Sequence, residues 1–110
     1  MRVAIIGQGY VGLTIAVGAA DAGHSVIGFD VNENLVTSLN LGQSHIEGIP
    51  NEQLASLASS GAYKAHSDAS VIDGSEVIII AGISLYFAKQ LKIHKNEIIR
   101  RKGSYYYRCK

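Results

Sequence analysis

At 110 residues, with 47% hydrophobic and 17% charged side chains, the chain has material for one small globular domain and no more. Twelve glycines against one proline point to tight turns and close backbone approaches rather than a disordered linker. No run approaches the roughly 18 apolar residues of a membrane-spanning helix. The formal charge of +1 conceals a division: residues 1–81 hold two basic and eight acidic side chains, whereas residues 82–110 hold eight basic ones and a single acid.

Val3-Ala4-Ile5-Ile6 is continuously apolar and ends at a glycine, the pattern of a strand covered on both faces. The glycines that follow interrupt the run and argue against a secretory signal. Tyr10 to Ala22 is predicted as a helix: Val11, Ile15, Gly18 and Ala22 recur at helical spacing, and Gly23 supplies a left-handed stop. Ser25 to Asp30 is the second strand, apolar up to its final acid. Asn32 is a plausible N-cap for a helix carrying Leu35, Val36 and Leu39 and stopped at Gly42. Gln43 to Pro50 reads as a loop, and Asn51 as the cap of a short helix ending near Gly61. Ala62 to His66 is a weaker strand, Asp68 caps a single helical turn, and Glu76 to Ala81 is the clearest strand after the first. This alternation implies an α/β fold, a partial Rossmann doubly wound parallel sheet of four strands in the order 3-2-1-4. The last strand would lie at the sheet edge, where its unpaired backbone groups favour self-association.

Gly7-Gln8-Gly9-Tyr10-Val11-Gly12 matches G-x-G-x-x-G between a predicted strand and a predicted helix. Gly7 allows a sharp turn, Gly9 lets backbone approach a pyrophosphate, and Gly12 lets the helix lie close on the strand. Helix N-terminal N–H groups then face the phosphates. Asp30, 18 residues after Gly12, stands where a carboxylate grips ribose hydroxyls and repels a 2′-phosphate, which favours NAD over NADP.

The run Val3 to Leu13 resembles the opening of the UDP-glucose/GDP-mannose dehydrogenase family. Asp30, Leu39-Asn40-Leu41-Gly42 and Glu76 to Ile80 fall in place beside it. Ser44 to Pro50 is similar to the branch acting on UDP-N-acetylhexosamines. The resemblance implies that Gly7, Gly9 and Gly12 form the phosphate loop with Tyr10 and Val11 beside it, that Asp30 holds the ribose, and that NAD is the cofactor. It further implies an oxidoreductase of nucleotide sugars, which converts the 6-hydroxymethyl to a carboxylate with two NAD. Asn34 and Leu35 replace the basic residue that members often carry after the acid.

The resemblance covers residues 1–81. Gly82-Ile83-Ser84-Leu85-Tyr86-Phe87 departs from the family's Pro-Thr-Pro-like turn, and the charge reverses at the same place. The expectation is a truncated NAD-binding unit over residues 1–81 with a divergent basic tail over 82–110, as a reading-frame shift would produce. The cysteine nucleophile and lysine of the family's chemistry would lie beyond the chain, so no catalytic residue is assigned and the isolated chain is expected to be inactive. Cys109, near the terminus, lacks the niche of a reactive thiol, and a single cysteine suits a cytoplasmic location. The four histidines lack metal-ligand spacing. The tail mixes basic residues with Tyr105 to Tyr107, which admits a nucleic-acid binder or, through Leu91, Ile98 and Ile99, a membrane-surface segment. A solvated, poorly ordered extension is the preferred reading, because no recognition motif accompanies the charge. The competing functional class is a non-catalytic nucleotide-binding module.

Overall fold

The computed structural model describes residues 1–81 in full and the backbone of residues 98–101 and 104–108. Four parallel strands form its centre: β1 (Arg2–Ile6), β2 (Ser25–Phe29), β3 (Tyr63–His66) and β4 (Val77–Ala81). Between them run helices α1 (Tyr10–Asp21), α2 (Glu33–Asn40) and α3 (Asn51–Ser60), and a single 3-10 turn at Ala69–Ile72. The order β3-β2-β1-β4 is the one the alternation predicts. Val3 lies opposite Val26 on one side and Val77 on the other, which fixes the register across the centre.

The pleat explains the continuous apolar runs. Val3 and Ile5 join Val26, Tyr63, Ala65 and Ile79 in one core cluster with residues of all three helices, including Leu13, Leu39 and Leu54. Ala4, Ile6, Ile78 and Ile80 alternate with them and are buried as well. On α1 the buried residues Gly12, Ala16 and Ala20 stand four apart, with Leu13 and Val17 beside them, so a stripe of small side chains lies on the sheet.

Local signals decide the helix ends. Asn32 Oδ1 accepts the N–H of Leu35 at 3.1 Å, as an N-cap should. Asp68 accepts the N–H of Ser70 at the start of the 3-10 turn. Asn51 behaves otherwise than expected. Pro50 holds the cap position, and Asn51 is the first helical residue. Its Oδ1 instead accepts the N–H of Ser44 at 2.8 Å and closes the preceding loop. Ile46 and Ile49 of that loop are buried in the core.

Both flanks of the parallel sheet are covered. At β3, the Asn40 side chain acts as a one-residue strand partner. Its Nδ2 donates to Ala65 O at 2.9 Å, and its Oδ1 accepts Ala65 N–H at 2.8 Å. At β4 the structure corrects one expectation. The four parallel strands stand as expected, and β5 (Ile98–Arg101) and β6 (Ser104–Arg108) extend the sheet beyond them in the order β4-β6-β5. β6 pairs antiparallel with β4 over Val77 to Ala81, so β4 is not an edge and offers no open row for self-association. Residues 98–101 and 104–108 of the tail are strands, and the donors and acceptors of β4 find partners in β6. Leu91, His94 and Cys109 lie outside the described residues. Among the described residues, no helix is long and apolar enough to cross a membrane, and no group of three or more His, Cys, Asp or Glu could hold a metal ion.

Candidate dinucleotide site

In the order β3-β2-β1-β4 the chain reverses its direction of travel across the sheet beside β1, and the crevice outside the strands' carboxyl ends is the place where such sheets take ligands. A cleft of about 410 Å³ opens there, lined by Gly7, Gly9, Tyr10, Val11, Gly12, Asp30, Val31 and Ala81. Three strands contribute: the turn after β1, the residues following β2, and the last residue of β4. All six residues singled out from the sequence line this one cleft. Val31 and Ala81 are additions, and their positions just after the acid and at the end of β4 were the available signals.

Gly7 leaves the strand with φ of 92°, a left-handed conformation that costs glycine nothing, and its N–H still bonds Phe29 O at 2.7 Å. Gly12 permits contact: a Cβ there would stand 1.7 Å from Gly7 O, so the helix rests directly on the turn. Gly9 is the opposite case, since a Cβ there would meet nothing within 4 Å. It leaves open space beside the cleft it lines.

Gly9 is also the N-cap of α1, with no side chain capping the helix and no acid in its first turn. The first intrahelical bond runs from Leu13 N–H to Gly9 O, so the N–H groups of Tyr10, Val11 and Gly12 precede the helical ladder. Tyr10 and Val11 carry exposed side chains at the rim. An uncapped helix start with open space at its glycine fits an anion, and a diphosphate supplies one.

Asp30 stands just beyond β2. Its Oδ2 accepts the N–H of Gln8 at 2.9 Å, and its Oδ1 accepts the N–H of Asn32 at 3.0 Å. The carboxylate is thus anchored to the glycine turn itself. Each oxygen keeps further acceptor capacity for a hydroxyl pair.

Gln8 is the residue that sequence reasoning passed over. It lies between two glycines in a turn, yet it is fully buried. Its amide Nε2 donates to Gly7 O and Ile5 O at 2.9 and 3.2 Å, and its Oε1 accepts the Tyr63 hydroxyl at 2.7 Å. Burial, followed by the negative charge of Asp30, pushes the Tyr63 phenol well above its ordinary range, so it stays protonated and donates.

Comparisons with known proteins agree with this geometry. UDP-N-acetyl-D-mannosamine dehydrogenase of Pyrococcus horikoshii is 35% identical over 81 residues, covering 73% of this chain and 19% of the relative. UDP-glucose 6-dehydrogenase of Haloferax volcanii is 52% identical over 46 residues, covering 42% of this chain and 11% of the relative. The chain therefore spans about a fifth or less of these curated relatives. Among solved structures, the Pyrococcus horikoshii UDP-D-ManNAc dehydrogenase superposes with a TM-score of 0.72 at 30% identity, over 83% of this chain and 24% of that one. GDP-mannose dehydrogenase from Pseudomonas aeruginosa gives 0.73 at 27% identity, over 83% and 23%. Residues 1–83 match the family model described as the UDP-glucose/GDP-mannose dehydrogenase family, NAD binding domain, and the chain belongs to that family.

Proposed function

We propose that this chain supplies the adenosine-diphosphate half of an NAD site for a nucleotide-sugar 6-dehydrogenase. Gly7, Gly9 and Gly12 form the phosphate turn, the N–H groups at the start of α1 meet the diphosphate, Tyr10 and Val11 flank it, and Asp30 accepts the ribose hydroxyls. The observation that carries this reading is the 2.9 Å bond from Gln8 N–H to Asp30 Oδ2, which ties the ribose acid and the phosphate turn into one cleft. In a longer protein with the extent of the relatives, bound NAD supplies the hydride acceptor for oxidising a UDP-sugar's 6-hydroxymethyl to a carboxylate.

Residues 1–81 form the NAD-binding unit in this reading, and the sequence beyond the family match, which runs to residue 83, is read as a divergent basic tail. The reading includes a cytoplasmic location, which the single cysteine supports. UDP-N-acetylhexosamines are the substrate class suggested by Ser44 to Pro50, although Ile46 and Ile49 serve the core rather than the cleft.

Isothermal titration of the 110-residue chain tests the reading. NAD should bind weakly, in the micromolar to millimolar range, and NADP more weakly still, because Asp30 repels a 2′-phosphate. Nanomolar binding, no binding by folded protein, or equal affinity for the two dinucleotides would count against it. The same polypeptide mixed with UDP-sugars and NAD should form no NADH.

A further inference from the structure

Gln8 and Tyr63 both lie behind the cleft rather than in it. Tyr63 opens β3, two strands from β1, and reaches Gln8 across β2 at Gly28. No other residue type fits at Gly28 without a shift: a Cβ there would stand 2.4 Å from Gln8 Oε1 and 2.7 Å from the Tyr63 hydroxyl. The hydroxyl donates to Oε1, which turns the amide nitrogen toward the carbonyls of Ile5 and Gly7. The main-chain N–H of Gln8, meanwhile, holds Asp30. Every polar group of Gln8's side chain is thereby used within the protein, and the turn between Gly7 and Gly9 is held from behind.

We propose that Gln8 and Tyr63 are positioning residues for the dinucleotide. Their hydrogen bond sets the Gly7–Gly9 turn in the conformation that presents backbone amides to a diphosphate, so affinity for the diphosphate depends on a tyrosine remote from the ligand. This inference rests on the NAD-binding reading. It goes beyond it by locating the determinant of phosphate affinity on β3.

The test compares ADP and adenosine, which differ by the diphosphate that the turn would hold. Binding to the 110-residue protein is followed by NMR titration, with thermal melting alongside. Tyr63→Phe should weaken ADP and NAD roughly five- to tenfold while adenosine stays within about twofold, since one buried hydrogen bond is lost at the turn and Asp30 keeps its bond from Asn32. A purely structural tyrosine would lower the melting temperature and leave the ADP-to-adenosine ratio unchanged, and that result overturns the proposal. If Tyr63→Phe fails to fold, Gln8→Met removes the acceptor at similar side-chain length and must give the same ratio change. Wild-type protein that binds neither ADP nor NAD defeats the NAD-binding reading. The positioning claim is then judged without ligand: amide exchange at Gly9 and Tyr10 should be faster in Tyr63→Phe, and unchanged exchange overturns it.

Discussion

Alanine at Gly9 and alanine at Gly12 should damage different properties of the same turn. At Gly12 the added methyl carbon would sit 1.7 Å from Gly7 O and 2.8 Å from Gly7 C, both backbone atoms that cannot rotate away. Relief requires the start of α1 to move off the strand by roughly 1.5 Å before ordinary contact distances return. Overpacking costs about 1–3 kcal/mol, and a rigid backbone obstacle puts Gly12→Ala at the upper end, about 3 kcal/mol. For a domain of this size that corresponds to a fall in Tm of roughly 15 °C. At Gly9 the backbone has φ of −74° and ψ of −158°, which alanine adopts freely, and the methyl meets nothing. Replacing a glycine N-cap by alanine costs at most about 1 kcal/mol, or roughly 5 °C. In the proposed site the methyl would occupy the space of the diphosphate, so NAD affinity should fall at least about tenfold, or about 1.4 kcal/mol. Circular-dichroism melting and NAD titration of both variants read the two effects separately. Wild-type NAD affinity in Gly9→Ala would refute the proposed phosphate approach, and a wild-type Tm in Gly12→Ala would refute the direct packing of helix on turn.

Three further outcomes follow from the same contacts. Asn40→Ala removes both hydrogen bonds that cover Ala65, so chemical denaturation should show a loss of about 2 kcal/mol; a change indistinguishable from zero would mean that water replaces the amide without cost. Deleting residues 98–110 strips β6 from β4, and light scattering should then detect concentration-dependent association that the full chain lacks. His66 titrates below the ordinary histidine value of 6.5, lowered first by burial and then by Lys64, with Asp68 opposing. A depressed value means the unfolded chain takes up the proton more readily. The stability this neutral ring contributes is therefore present above 6.5 and lost as pH falls through the lowered folded value. An NMR titration of the His66 ring that gave a midpoint above 6.5 would contradict the burial argument.

Much of the molecule was legible because its signals are local. A parallel strand buried on both faces must be apolar throughout, and Ile5-Ile6 and Ile78-Ile79-Ile80 advertise that directly. The glycine turn is legible because a left-handed φ at Gly7 and a helix in contact at Gly12 exclude side chains at fixed spacing, and in the proposed site a diphosphate would exclude one at Gly9. What stayed hidden depends on partners far apart in the chain. Gln8 looks like an exposed turn residue until Tyr63, 55 positions later, is brought beneath it. Asn51 has the chemistry of a cap, but the capping pattern does not reveal that Ser44 N–H is the better placed donor. The Asn40–Ala65 pairing was hidden in the same way across 25 positions.

The outer strands show a further limit. Strand pairing at an edge draws on backbone N–H and C=O groups, which every residue but proline carries, so a basic, tyrosine-rich segment pairs without displaying an alternating apolar pattern. The unpaired row that β4 would otherwise present is a sound reason to expect another strand beside it, and the strand found there belongs to the same chain. A segment on the same chain competes at the effective concentration set by its tether, in the millimolar range for a short linker, and that exceeds the concentration at which separate molecules usually meet. Pairing of β4 with β6 in the same chain is the closure the sheet shows, and light scattering of the full chain against the deletion decides whether it outcompetes pairing between molecules.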